Sequence, residues 1–110
     1  MDRRKRLIKE LSRFAEEISG EYSLKKMILF GSQATGKARK DSDVDLILVS
    51  PKFRGQRKLQ RSPQFYLKWN LDWPVDFLCY TPEEFERKKK QIGVVQQAVK
   101  DGIEISHRNL

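Results

Sequence analysis

A single cysteine and a single histidine among 110 residues remove several classes of chemistry before any motif is considered. One thiol, Cys79, cannot close an internal disulfide, and with only His107 to join it no zinc site of His and Cys ligands can be built. Cys79 stands in the apolar run VDFLCY and reads as buried filler suited to a reducing compartment, while His107 reads as surface. No stretch approaches the roughly 18 unbroken apolar residues of a membrane span. The charged opening MDRRKRLIKEL is not followed by the apolar core of a signal peptide, because Lys9, Glu10, Ser12 and Arg13 interrupt it. The expectation is a cytoplasmic chain without membrane contact. Acidic residues are in deficit, 15 against 23 Lys and Arg, which leaves a net charge of +8. That balance attracts polyanions such as nucleic acid or triphosphates, or an acidic protein, without specifying any chemistry. Internal repeats and low-complexity tracts are also missing, and a single domain over residues 1–110 is expected.

What is present is an alternation of helix and strand signals. Leu7, Ile8, Leu11, Phe14, Ala15 and Ile18 recur at the spacing of one helical face, with Gly20 placed to end the helix. KKMILF reads as a short buried strand entering a Gly-Ser turn. VDLILVS reads as a second strand, apolar on both faces, which requires helices on both sides of a sheet. The basic text from Pro51 to Arg61 predicts a loop, and Ser62-Pro63 an N-cap and first-turn proline for a short helix to about Asn70. VDFLCY predicts a third strand. Thr81-Pro82-Glu83-Glu84 carries the cap, the proline and the capping-box glutamate of another helix, which Gly93 bends or breaks. VVQQAVKDG resumes helical spacing and IEIS predicts a last strand. The fold class is α/β.

One stretch, FGSQATGKARKDSDVDLILV from Phe30 to Val49, fits two phosphate-handling patterns. Gly31 to Lys37 matches G-x-x-x-x-G-K of P-loop enzymes, but the hydroxyl residue that should follow to hold magnesium is Ala38. Only Ala38 to Ser42 separate Lys37 from the acidic start of the next strand, too few for the crossover helix that a P-loop opens. The second pattern uses the whole stretch. Strand alternation points Asp43 and Asp45 the same way, so their carboxylates converge and repel unless a cation lies between them. Magnesium, held by one or two carboxylates and substrate phosphates, suits that need. Asp76 opens an otherwise apolar strand, where burial would penalise an unpaired charge, and is expected to lie beside Asp43 and Asp45 as a third ligand. Gly31 lets backbone approach a ligand closely, Ser32 adds a hydroxyl, and a helix starting near Ala34 would aim N–H groups at phosphate.

The segment GSQATGKARKDSDVDLILV resembles the signature of the DNA polymerase beta-like nucleotidyltransferase superfamily, and looks most like its minimal nucleotidyltransferase branch. Gly31, Ser32, Ala34, Gly36, Ala38, Ser42, Asp43, Asp45 and Leu46 match that pattern. VDFLCYTPEEF and VVQQAVKDGIEI are similar as well, while Lys52 to Trp73 matches nothing assignable. Gln33 departs from the basic or aromatic residue that many relatives carry. The resemblance implies a polymerase beta-like fold, with a small mixed sheet of about four strands flanked by helices. It also implies transfer of a nucleoside monophosphate, AMP from ATP foremost, to an acceptor hydroxyl. Asp43, Asp45 and Asp76 would hold two magnesium ions, with Asp76 also placed to take the hydroxyl proton. Gly31 and Ser32 would hold the β- and γ-phosphates with help from Lys37, Arg39 or Lys40.

Larger members of the superfamily carry a further domain to grip the acceptor, and none is expected within these 110 residues. The resemblance therefore implies an acceptor on another molecule, a small helical HEPN toxin for which this chain would be the antitoxin. Two alternatives stand beside it. One is a nucleic-acid-binding module that uses the basic Arg3 to Arg6, Arg54 to Arg61 and Arg87 to Lys90 with Phe65, Tyr66, Trp69 and Trp73 for stacking. The other is a catalytically silent partner that only covers the toxin.

Overall fold

The computed structural model describes residues 3–39 and 42–105, so Lys40 and His107 lie outside the described residues. Helix α1 (Arg3–Tyr22) buries Leu7, Leu11, Phe14, Ala15 and Ile18 as its spacing predicts. It runs through Gly20, because Tyr22 must reach the core, where its ring meets Phe65 at 4.6 Å. The left-handed residue that ends the helix is Ser23, at φ 48°, and the chain closes there with Leu24 N–H donating to Ser19 O at 3.2 Å.

Strand β1 (Lys26–Phe30) leads through Gly31 into the single-turn helix α2 (Ser32–Thr35), and the chain returns as β2 (Val44–Val49). A 3-10 turn (Pro51–Phe53) and two short helices, α3 (Lys58–Arg61) and α4 (Pro63–Lys68), occupy the stretch expected to begin as a loop. Strand β3 (Val75–Tyr80), helices α5 (Pro82–Lys88) and α6 (Val94–Asp101), and β4 (Ile103–Glu104) complete the order. The sheet runs β3-β2-β1-β4 and is mixed: β2 is antiparallel to β1 and parallel to β3, and β1 is antiparallel to β4.

Two cores sandwich this sheet, as a strand apolar on both faces demands. On one side α1 packs with Met27, Leu29, Leu46, Leu48 and Phe77, joined by Phe53 and Phe65 from the connection between β2 and β3. On the other, Ile28, Ile47 and Val49 pack against Phe85 of α5 and Val95 and Ala98 of α6. The Thr81 capping box forms in full.

Three local expectations differ from what forms. Ser62 has helical backbone and makes no side-chain cap, since α3 runs almost directly into α4 and the Ser62 carbonyl accepts from Phe65 and Tyr66 N–H. The last strand pairs only through Ile103 and Glu104, with Ile105 anchored by its N–H to Met27 O at 2.8 Å. The basic run hides a buried arginine, Arg61, with 4% exposure.

Candidate active site

Register decides which of the candidate residues meet. In the antiparallel pair Phe30 lies opposite Asp45, and in the parallel pair Asp45 lies opposite Asp76. Period-two alternation puts Asp45 and Asp76 on the sheet face of Ile47 and Val49, the face that α5 and α6 cover at its other end. Asp43 stands just ahead of β2 and is exposed; Asp45 is half-buried. The burial argument for Asp76 needs correction: it is exposed, because β3 is an edge strand and α5 begins beyond the opposite end of that strand. Adjacency to Asp45, not burial, is what ties it to the other two.

Electrostatics reports the grouping. Partial burial first, then the Asp76 carboxylate, then the Asp43 carboxylate raise the proton affinity of Asp45 above the ordinary range. A cation would offset the repulsion from Asp76 and Asp43, and oxygen donors of this kind suit a hard divalent ion. Among the described residues no three His, Cys, Asp or Glu side chains are placed so that they could together hold a metal ion. Magnesium needs only one or two carboxylates from the protein, its shell being completed by substrate phosphates and water.

Gly31 sits against this group. Its φ is 75°, and a Cβ built there would stand 2.5 Å from Asp45 Oδ2, so both backbone conformation and space demand glycine. Gly31 O accepts from Ala34 N–H at 3.0 Å and Thr35 N–H at 3.2 Å, which starts α2 at Ser32, two residues before the expected position. Ser32 is half-buried, and Lys37 and Arg39 are both exposed. Lys37 follows the helical turn instead of opening one, which removes the P-loop alternative on structural grounds. An apolar recess of about 230 Å³ opens beside Gly31, lined by Phe30, Thr35, Val94, Gln97 and Asp101 among others. A recess of about 150 Å³ beneath Lys26 and Phe85 lies at the far end of β1, away from the carboxylates.

Sequence reasoning missed the supporting contacts of four side chains. Gln33, which departs from the family pattern, is buried and donates from Nε2 to Ser42 O at 2.9 Å, tying α2 to the residue before Asp43. Ser42 Oγ in turn accepts from Arg39 N–H at 2.7 Å. Arg4 donates to Ala34 O, fastening α1 to the same turn. Tyr66, from the unassigned segment, places its hydroxyl 3.5 Å from Asp76 Oδ1. What marks Gln33 is its burial beside Ala34 in the α2 turn, and that burial is invisible in the text. The aromatics grouped for base stacking divide otherwise: Phe65 and Trp73 are buried, Trp69 is half-buried, and Tyr66 is exposed.

Comparison with known proteins bears on the family and the fold. The nucleotidyltransferase domain model matches residues 8–104. The Haemophilus influenzae protein named probable protein adenylyltransferase MntA is 32% identical over 77 residues, 68% of each chain. The crystal structure of a candidate nucleotidyltransferase from Sulfolobus solfataricus shares the fold, with a TM-score of 0.67 at 22% identity, over 92% of this chain and 80% of that one. A second crystal structure of a candidate nucleotidyltransferase gives a TM-score of 0.48 at 26% identity over 74% of this chain and 86% of its own.

Proposed function

The chain belongs to the nucleotidyltransferase domain family and is a nucleotidyltransferase, and from that premise we propose that it moves AMP from ATP, with magnesium, to a hydroxyl of a partner protein. The observation that carries this reading is the register that sets Asp45 directly beside Asp76, on one sheet face, with Gly31 pressed against Asp45. Asp43, Asp45 and Asp76 would hold magnesium, which when bound neutralises phosphate oxygens and lowers the pKa of the acceptor hydroxyl. The chain's own residues do the rest. Gly31, lacking a side chain, lets the β- and γ-phosphates reach the first-turn amides of Ser32 and Gln33, which have no intrahelical acceptor. Ser32 donates its hydroxyl, and Lys37 and Arg39 lend charge from the exposed side. The recess beside Gly31 receives the nucleoside end. Asp76, exposed where an acceptor can approach, takes the acceptor's proton on a carboxylate oxygen as the oxygen bonds to the α-phosphorus and pyrophosphate leaves.

The acceptor in this reading is a small helical HEPN partner, with the chain acting in the cytoplasm as antitoxin. Support comes from the relative's name, a protein adenylyltransferase, and from the net charge of +8, which favours an acidic partner face. Among the described residues no helix is long and apolar enough to cross a membrane. The nucleic-acid alternative loses Arg61, Phe65 and Trp73 to the core.

Incubating the protein with labelled ATP, magnesium and the product of the neighbouring gene tests the proposal. Label on that neighbour, lost in Asp43→Asn/Asp45→Asn, is the expected result. A mixture that binds ATP normally yet transfers nothing would overturn the partner assignment.

A further inference from the structure

Tyr66 belongs to α4, and its ring packs edge-on against Phe77, with centroids 5.0 Å apart and planes at 74°. Its hydroxyl accepts the Phe77 amide proton at 3.2 Å and lies 3.5 Å from Asp76 Oδ1. A phenol has one proton to give and two lone pairs. With one lone pair filled by the Phe77 N–H and the ring fixed by Phe77, the single O–H is aimed at the Asp76 carboxylate. The same hydroxyl thereby holds the backbone of residue 77 and the side chain of residue 76, two neighbours that point to opposite faces of β3. An exposed aspartate at the start of an edge strand has several rotamers open to it, and this contact favours the one in which Oδ1 faces Tyr66.

We propose that Tyr66 is a positioning residue for the transfer reaction: through its hydroxyl it fixes Asp76 in the orientation that the third carboxylate needs. This rests on the reading of Asp76 as a member of the carboxylate group. It gives a role to the segment between β2 and β3, which beyond packing Phe53 and Phe65 into the core delivers one hydroxyl to the site.

Tyr66→Phe keeps the ring and its contact with Phe77 and removes the hydroxyl alone, leaving the edge amide of Phe77 to water. Two quantities are read on the full chain, alongside Asp76→Asn and the double variant. The first is Mn2+ affinity in the presence of a non-hydrolysable ATP analogue, by electron paramagnetic resonance. The second is kcat and KM for ATP with the protein acceptor. Tyr66→Phe is expected to weaken Mn2+ binding about three- to tenfold and lower kcat about tenfold, with KM for ATP changed less than twofold. It should have no further effect in the Asp76→Asn background. If Asp76→Asn disables both readouts while Tyr66→Phe behaves as wild type, the positioning role is wrong and the three-carboxylate site stands. If Asp76→Asn itself changes neither, the site and the positioning role fall together. A nucleotide adduct found on Tyr66 by mass spectrometry would overturn the proposal by making the hydroxyl an acceptor.

Discussion

Glu84→Gln is expected to cost about 2 kcal/mol of stability at neutral pH, and the loss is transmitted through an arginine. Arg61 ends a basic stretch of the chain yet is almost wholly buried. Its Nη1 and Nη2 donate to the two carboxylate oxygens of Glu84 at 2.6 and 3.2 Å. Its Nε donates to Gln56 O at 3.0 Å, and Nη1 also reaches Cys79 O at 3.1 Å. Glu84 Oε1 accepts in addition the Thr81 amide at 2.9 Å, so one carboxylate closes the α5 cap and neutralises a buried guanidinium. The Arg61 hydrogen bond, above all, lowers the Glu84 carboxyl from 4.5 to about 2. At roughly 1.36 kcal/mol per pH unit that displacement is worth about 3 kcal/mol. Because 20% of the Glu84 side chain faces water, screening reduces it to about 2 kcal/mol. Glutamine keeps an acceptor for the Thr81 amide, so the loss falls on the charge pair. The folded-state pKa lies below the unfolded one, so the contribution is complete above about pH 4.5 and fades as pH falls toward 2. Urea melts of both proteins should show the neutral-pH gap shrinking by roughly 1 kcal/mol at about pH 3.5. A neutral-pH gap under about 0.5 kcal/mol, or one that persists unchanged into acid, would refute the reasoning.

Gly31→Ala should lower stability by about 1–2 kcal/mol, because φ 75° disfavours any Cβ, and should abolish nucleotidyl transfer by pushing Asp45 aside; a thermal melt and the transfer assay separate the two effects. Phe65→Ala should cost about 3–5 kcal/mol, since its fully buried ring touches those of Tyr22, Phe53 and Phe77, and denaturant titration checks the value. Cys79, whose thiol burial pushes up to about 12 against the lowering effect of Arg61, should resist iodoacetamide at neutral pH in the folded protein and react fully in denaturant.

The motif-bearing half of the molecule was legible because its signals are local. Strand alternation in VDLILV, the short spacer after Lys37 and the Thr81-Pro82-x-Glu84 cap each depend on neighbours in the chain, and each reads correctly. What escaped is set by partners distant in sequence. Arg61 reads as one more solvated cation in a basic run, because its acid arrives from α5 and its carbonyl from β3. Gln33 reads as a family departure until Ser42 is folded over it. Gly20 looks like a stop signal, yet a helix with an aromatic still to bury continues past it, and the break falls at Ser23. Asp76 reached the predicted neighbourhood for a different reason from the one that singled it out: register supplied the proximity and the expected burial is not there.

The mixed sheet also imposes an order of assembly. Gly31, Ser32 and Asp45 lie on an antiparallel hairpin that closes over a short span, whereas Asp76 joins only by parallel pairing, after the whole connection through α3 and α4 has docked. Loop-closure entropy makes the second event the slower one. A chain emerging from the ribosome can therefore shape its glycine turn while Asp76 is still unmade. With Asp76 read as part of the site, nucleotide turnover would begin only once β3 has paired with β2, so enzymatic competence would report that this docking is complete.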